Sequence, residues 1–345
     1  MPLATGARVA ALTLAAAAAS LLVLAPGPAA GQGRDAPAES YAAPRTAWGD
    51  PDLQGIWSNT TSTPFERPAE FGERAFLTDE EFAAAQADAV ARVQAAEVSS
   101  NEGSTAGPDH WYEHLGRVSN RTSQVVDPPD GQVPALTAEA RERHIIGTVN
   151  RERLAMPFDS WEDLSPWDRC ITRSIPGSMF PTFYNNNYQI LQIPGYVVIL
   201  YEMIHDARII PIDGRPALDG GVRQWMGDSR GHWEGDTLVV EVGNFTDQTP
   251  LHPVRGEPSQ VAHSADLRVV ERFTRVDPYS IEYEVTIDDP RTFVRDWTVA
   301  LPLTSAGAPD HMLEYACQEG QQAVRNILSG ARAQERRAAA ADAGR

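Results

Sequence analysis

Between Tyr184 and Phe245 the chain reads as successive β-strands with ionisable residues set into otherwise apolar runs. The Val/Ile/Tyr-rich stretch Gln192–Ile212, closed by Asp213-Gly214, is long enough for two short strands or one bent strand. Alternation with a period of two places Tyr201, Met203, His205 and Ala207 on one face and Glu202, Ile204, Asp206 and Arg208 on the other. Polar groups among such neighbours need partners, so the stretch belongs to an internal network or lines a wet cavity.

The rest of the pattern predicts a β-rich domain with helical additions. A strand opens at Pro51–Ser58, and a capping box at Thr78-Asp-Glu-Glu81 starts a helix running to about Ala96. A strand near Gln124–Val126 ends at Asp127-Pro-Pro-Asp-Gly131, and a second helix is predicted over Thr137–Leu154. Residues 159–181 are irregular, with Trp161, Trp167 and Cys170 as anchors. Strands then follow at Arg223–Met226, Gly231–Trp233, Thr237–Val242, Leu267–Arg275, Ser280–Asp288, Asp296–Leu303 and Met312–Cys317, the third reached through a tight turn at Glu234-Gly-Asp236. A closing helix spans Glu319 to about Arg332, and 333–345 read as a disordered tail. Hairpins without alternating helices predict a mainly β fold, an antiparallel β-barrel or sandwich with peripheral helices and a C-terminal helix. The predicted domain is 46–332, with a helical insertion at about 78–155 and a flexible leader over 32–45.

A Gly-x-Trp opening strand, a meander and a final helix are similar to lipocalin-like (calycin-like) barrels. The segments Pro51-Asp-Leu-Gln-Gly-Ile-Trp57, Tyr184-Asn-Asn-Asn-Tyr188, Glu202-Met-Ile-His-Asp-Ala-Arg208, Trp225-Met-Gly-Asp-Ser-Arg-Gly231, Trp233–Val240 and Tyr315–Gly320 together resemble a functionally uncharacterised family of exported bacterial proteins. The resemblance covers nearly all of the chain past its leader. It implies export and a shared architecture and lends no active-site residue.

Four constellations could carry chemistry. Glu271 falls in the row Leu267, Val269, Glu271, Phe273, and His205 lies in its own apolar row, so the two form a candidate acid/base pair in a pocket shared with Tyr201 and Trp225. The structural alternatives are a Glu271 ion pair with an arginine such as Arg223 or Arg295, and a satisfied core histidine. Glu202, Asp206, Arg208, Asp228 and Arg230 could clamp an anionic or hydroxylated ligand, or form exposed ion pairs. Gly227-Asp-Ser229-Arg-Gly231 matches the nucleophile-elbow spacing, with His252 and His263 downstream, yet a hairpin follows where the elbow requires a helix. His205, Asp206, His232 and Asp236 lack close ligand spacing, so no metal site is predicted unless tertiary folding assembles one.

Composition narrows these readings. Arg8, an apolar run to Leu24 and Pro-Gly-Pro-Ala-Ala-Gly-Gln predict a signal peptide over 1–31, cut near Ala30 or Gly31, and no membrane span in the mature chain. Export would place Cys170 and Cys317 in an oxidising compartment as a disulfide, with no thiol left over. The net charge is −18 and no lysine occurs, which excludes lysine Schiff bases, pyridoxal phosphate linkage and a P-loop lysine, and disfavours nucleic acid as a partner. The expectation is a periplasmic or extracellular protein holding a small organic ligand, with cofactor-independent acid/base chemistry such as isomerisation, elimination or hydrolysis. A non-catalytic carrier is the alternative.

Overall fold

Alternation drives the architecture: along Arg268–Asp277 the residues Val269, Glu271 and Phe273 are buried, while Arg268, Val270 and Arg272 between them face outward. A computed structural model describes residues 41–98, 118–143, 158–182, 184–251, 261–305 and 310–344, with side chains to 92 in the first segment. The expected signal peptide lies outside the described residues. The described strands are β1 (Gly55–Ser58), β2 (Val125–Asp127), β3 (Asn187–Ile193), β4 (Tyr196–Tyr201), β5 (Ala207–Pro211), β6 (Asp228–Glu234), β7 (Thr237–Gly243), β8 (Pro250–Leu251), β9 (Val261–Ala262), β10 (Arg268–Asp277), β11 (Ser280–Asp288) and β12 (Trp297–Thr304). Their main sheet runs β5-β4-β3-β1-β12-β11-β10-β7-β6, with β2 added on β12 and β8–β9 forming a separate pair. The inward rows, including Trp57, Tyr188, Ile199, Val240, Val285 and Val299, form one continuous core. The fold is mainly β, a nearly closed antiparallel barrel.

Strand number explains why closure is incomplete. Each ladder from β5 round to β6 is antiparallel, so the nine strands of that path leave its two ends, β5 and β6, running in the same direction. A parallel neighbour needs a crossover rather than a hairpin, and residues 212–227 supply it. β5 and β6 nonetheless approach closely at Gly231, where an added Cβ would lie 2.7 Å from Ile212 Cγ2 and 3.0 Å from Ile210 Cγ2. Gly231→Ala is therefore expected to wedge this seam and destabilise the protein by about 1–3 kcal/mol. Gly243→Ala, with nothing within 4 Å of the new Cβ, is the near-neutral control in the same urea titration.

One end of the barrel is stoppered by residues 172–180, all of them buried. The segment is pinned to the strands through Asn59, whose Nδ2 donates to the Met179 carbonyl at 2.8 Å, and through Tyr188, whose hydroxyl donates to the Ser178 carbonyl at 3.0 Å. Cys170, at its start, lies at disulfide-bonding distance from Cys317, with Cα atoms 5.7 Å apart. Gln318 Nε2 donates to the Cys170 carbonyl and Gln321 Nε2 to the Asp168 carbonyl, extending that tie.

Several local expectations are corrected. The run Gln192–Ile212 spans parts of three strands, not one or two. Residues 223–226 belong to the crossover, and 312–317 form no strand because they dock through Cys317 instead. Of the expected anchors of the irregular stretch, Trp161 is exposed and Trp167 half-buried, whereas Cys170 is buried and is joined there by Leu164, Ile175, Met179 and Phe180. The fold takes in part of the expected leader: Ala43 is buried, and Arg45 bridges Pro51. The capping box holds, since Glu81 N–H donates to Thr78 Oγ1 and Thr78 N–H to Glu81, starting α1 (Asp79–Val98). Thr137 caps α2 (Ala138–Glu142); the remainder of that expected helix, 144–154, lies outside the described residues. α3 (Ala323–Ala343) runs through most of the expected disordered tail, its Ala, Arg, Gln and Glu residues being strong helix formers. Among the described residues no helix is long and apolar enough to cross a membrane.

Candidate functional site

Glu271 faces the barrel interior and is fully buried, which in an apolar row requires a partner of opposite charge. That partner is Arg208 of β5, not Arg223 or Arg295. Its Nη2 donates to Glu271 Oε2 at 2.5 Å and its Nε to Ser229 Oγ of β6 at 2.8 Å, so one guanidinium ties β5 to β10 across the interior and bridges the parallel seam. The Tyr283 hydroxyl donates to the other carboxylate oxygen, Oε1, at 2.9 Å. Burial alone would lower the pKa of Arg208; Glu271 and Tyr201 beside it outweigh burial and hold it above the usual arginine range. Burial, with Glu271 adjacent, raises the Tyr283 hydroxyl, and burial raises that of Tyr201 despite Arg208. Both phenols therefore keep their protons at neutral pH.

Two polar atoms of this cluster are left over. The hydroxyl of Tyr201 and Nη1 of Arg208 are buried and make no hydrogen bond of acceptable geometry. The two side chains interact electrostatically, yet these two atoms find no well-formed hydrogen bond. A buried donor without an acceptor costs about 1–3 kcal/mol, so such a pair marks a place where a ligand or water oxygen gains free energy.

The other expected site residues go elsewhere. Tyr201 and Arg208 share the interior face although a continuous strand would put them on opposite sides. The chain turns at Met203–His205, where Ile204 and His205 adopt φ of 66° and 60°, and Arg208 then pairs opposite Ile199. That turn leaves His205 exposed, and the expected His205–Glu271 pair is not assembled. Glu202 is buried and accepts from Asn187 Nδ2 at 2.6 Å. Asp206, its pKa raised by burial, accepts from Thr172 Oγ1 at 3.2 Å and helps seat the stopper. Asp228 and Arg230 pair with each other at 2.5 Å and staple the crossover, Asp228 accepting from Leu218 N–H and Arg230 Nε donating to the Pro216 carbonyl. Trp225 is half-buried, and its carbonyl accepts from Ser174 Oγ. Ser229 lies inside β6 with no helix after it, which removes the nucleophile-elbow reading; His252 lies outside the described residues. His232 pairs with Glu234 and Asp236 with Arg45, and among the described residues no three His, Cys, Asp or Glu side chains converge on a metal position.

A second buried polar cluster went unread in the sequence. His263 Nδ1 lies 2.9 Å from the Ser264 carbonyl, which can only accept, so Nδ1 carries the proton and Nε2 accepts from Thr249 Oγ1 at 2.6 Å. Asp289 beside it takes Ser264 Oγ at 2.7 Å and Thr292 Oγ1 at 2.5 Å. Burial lowers the pKa of His263, against the Ser264 carbonyl and the charges of Asp289 and Asp247, and Arg143 adds to the lowering. A histidine kept neutral by the fold contributes stability that is complete above its unfolded pKa of about 6.5 and is lost as pH falls from there toward the folded value. Wild-type protein is thus expected to lose unfolding free energy below about pH 6.5 in excess of His263→Gln, measured by urea titration at stepped pH. This cluster borders a surface cavity of about 570 Å³ whose arginines, Arg143 and Arg291, are already engaged by Glu139. A second surface cavity of about 310 Å³ is lined by Phe76, Arg121 and the outer faces of β11 and β12, and Arg208 lines neither.

No family model, curated protein or solved structure matches the chain. The site therefore stands on its own geometry. Of its members, Tyr283 had a legible signal, the row Ile281, Tyr283, Val285, Ile287 of β11, and the partnering of Glu271 with Arg208 had none in either local pattern.

Proposed function

We propose that this is an exported, non-catalytic protein that binds a small organic molecule inside its barrel, with Arg208 and Tyr201 as the recognising pair. The observation that carries the reading is the pair of adjacent, buried, unsatisfied polar atoms, Arg208 Nη1 and Tyr201 Oη. Binding is favoured over acid/base catalysis because His205 is exposed and both Glu271 oxygens are engaged, leaving no matched acid and base facing one another. A purely structural role is the second reading, favoured by the tie that Arg208 makes between β5, β6 and β10.

The test is to purify the mature chain, expected to begin between Gly31 and Gly33, from its native envelope without denaturation and to extract it for mass analysis. Wild-type protein is expected to release one small molecule in near-stoichiometric amount, and Tyr201→Phe markedly less of it, the two proteins melting alike once freed of ligand. Equal and empty extracts would leave the structural role.

A further inference from the structure

We infer that the group recognised in the barrel is an uncharged acceptor oxygen, a carbonyl flanked by apolar substituents, held between the Arg208 guanidinium and the Tyr201 hydroxyl. The inference rests on the ligand-binding reading above and gives it a chemical class: ketones, aldehydes and esters without a charged group.

Three features select that class. First, charge: Arg208 and Glu271 neutralise each other at 2.5 Å in a site where both side chains are almost fully buried. A carboxylate or phosphate brought beside them would add an uncompensated negative charge next to Glu271, and an ammonium would be repelled by Arg208. Burying a lone charge is far costlier than burying a neutral dipole. Second, hydrogen-bond parity: Arg208 Nη1 can only donate, and the Tyr201 phenol stays protonated with a proton to give. An alcohol would bring a further proton needing an acceptor. Each acceptor at hand already receives a donor, Glu271 Oε1 from Tyr283, Oε2 from Arg208 and Ser229 Oγ from Arg208 Nε, so that proton would have to share an engaged oxygen. A carbonyl oxygen, with two lone pairs and no proton, satisfies both orphan donors and creates no new one. Third, the surroundings: Tyr188 meets Tyr201 edge-on at 5.6 Å and Phe273 packs on Tyr283 at 4.9 Å, while Ile199 and Val240 face the same interior. These walls offer hydrophobic contact alone to whatever flanks the oxygen.

The experiment titrates the purified full mature chain with four ring compounds of matched size: cyclopentanone, cyclopentanol, methylenecyclopentane and cyclopentanecarboxylate. Binding is followed by calorimetry and by the rise in melting temperature, and the carbonyl stretch of carbon-13-labelled cyclopentanone is read by infrared difference spectroscopy. Cyclopentanone is expected to bind most tightly, with its stretch shifted below the value in water. Tyr201→Phe is expected to weaken it by about tenfold, the loss of one hydrogen bond, and to move the stretch back upward, with cyclopentanol changed less. The carboxylate binding as well as the ketone, the alkene binding equally, none of the four binding, or Tyr201→Phe leaving affinity and stretch unchanged would each overturn the inference. Extraction from the native envelope separates the two proposals. A charged small molecule recovered there sinks the carbonyl class and keeps the binding reading, whereas empty extracts together with four silent titrations sink both.

Discussion

Glu271→Gln is expected to destabilise the protein by about 3–5 kcal/mol, the usual cost of leaving one half of a buried ion pair behind. The shape of the side chain is kept, so the loss reports charge: Arg208 would remain protonated, buried and without its counter-ion, since no other carboxylate hydrogen-bonds it among the described residues. Unfolding in urea, followed through the buried Trp57 and Trp297, is the measurement. Removing both charges, as Arg208→Met with Glu271→Leu, should recover part of the loss, because a well-packed apolar pair often equals a buried ion pair. Recovery stays incomplete, as the Tyr283 hydroxyl and Ser229 Oγ each lose a partner. A Glu271→Gln variant that melts with the wild type would show that the pair does not tie the barrel interior.

Cys317→Ser is expected to have an effect of similar size by a different route. Linking residues 147 apart restricts the unfolded chain, and in the chain-entropy account that loop is worth about 5 kcal/mol. The folded state also suffers, because Cys170 begins the segment that stoppers the barrel and Gln318 and Gln321 reach it from the Cys317 side. Urea titration of wild type and variant gives the difference, and alkylation of the unreduced wild type before intact-mass analysis checks that no thiol is free. A single alkylated cysteine in that sample would sink the bridge.

What the sequence discloses follows from which features are local. Period-two alternation is a property of one strand, so Leu267, Val269, Glu271 and Phe273 declared their shared face without knowledge of the rest of the barrel. The helix start at Thr78 was equally plain, since its box closes within four residues. The placement of Arg208 was not. From Tyr201 to Arg208 the spacing is odd, which in an unbroken strand means opposite faces, and only the turn at Met203–His205 resets the parity. No single-strand pattern announces a β-branched residue such as Ile204 in the left-handed region, where it is disfavoured. His263 was named only as a base for the serine motif, and its buried partnering was missed for a related reason. Its partner Thr249 lies across the β8–β9 pair, whose two-residue strands are too short to show any period.

The parallel junction of β5 and β6 has a consequence for how the molecule breathes. Backbone amides inside a ladder exchange with solvent when the ladder opens, whereas those facing a junction held by side chains are released by far smaller excursions. The amides of β5 and β6 that point at each other should therefore exchange earliest among the barrel strands, well before those of β10 and β11, which are laddered on both sides. Parting these two strands would expose Arg208 without breaking a single rung of the sheet, so the odd strand leaves the cylinder with a built-in slit.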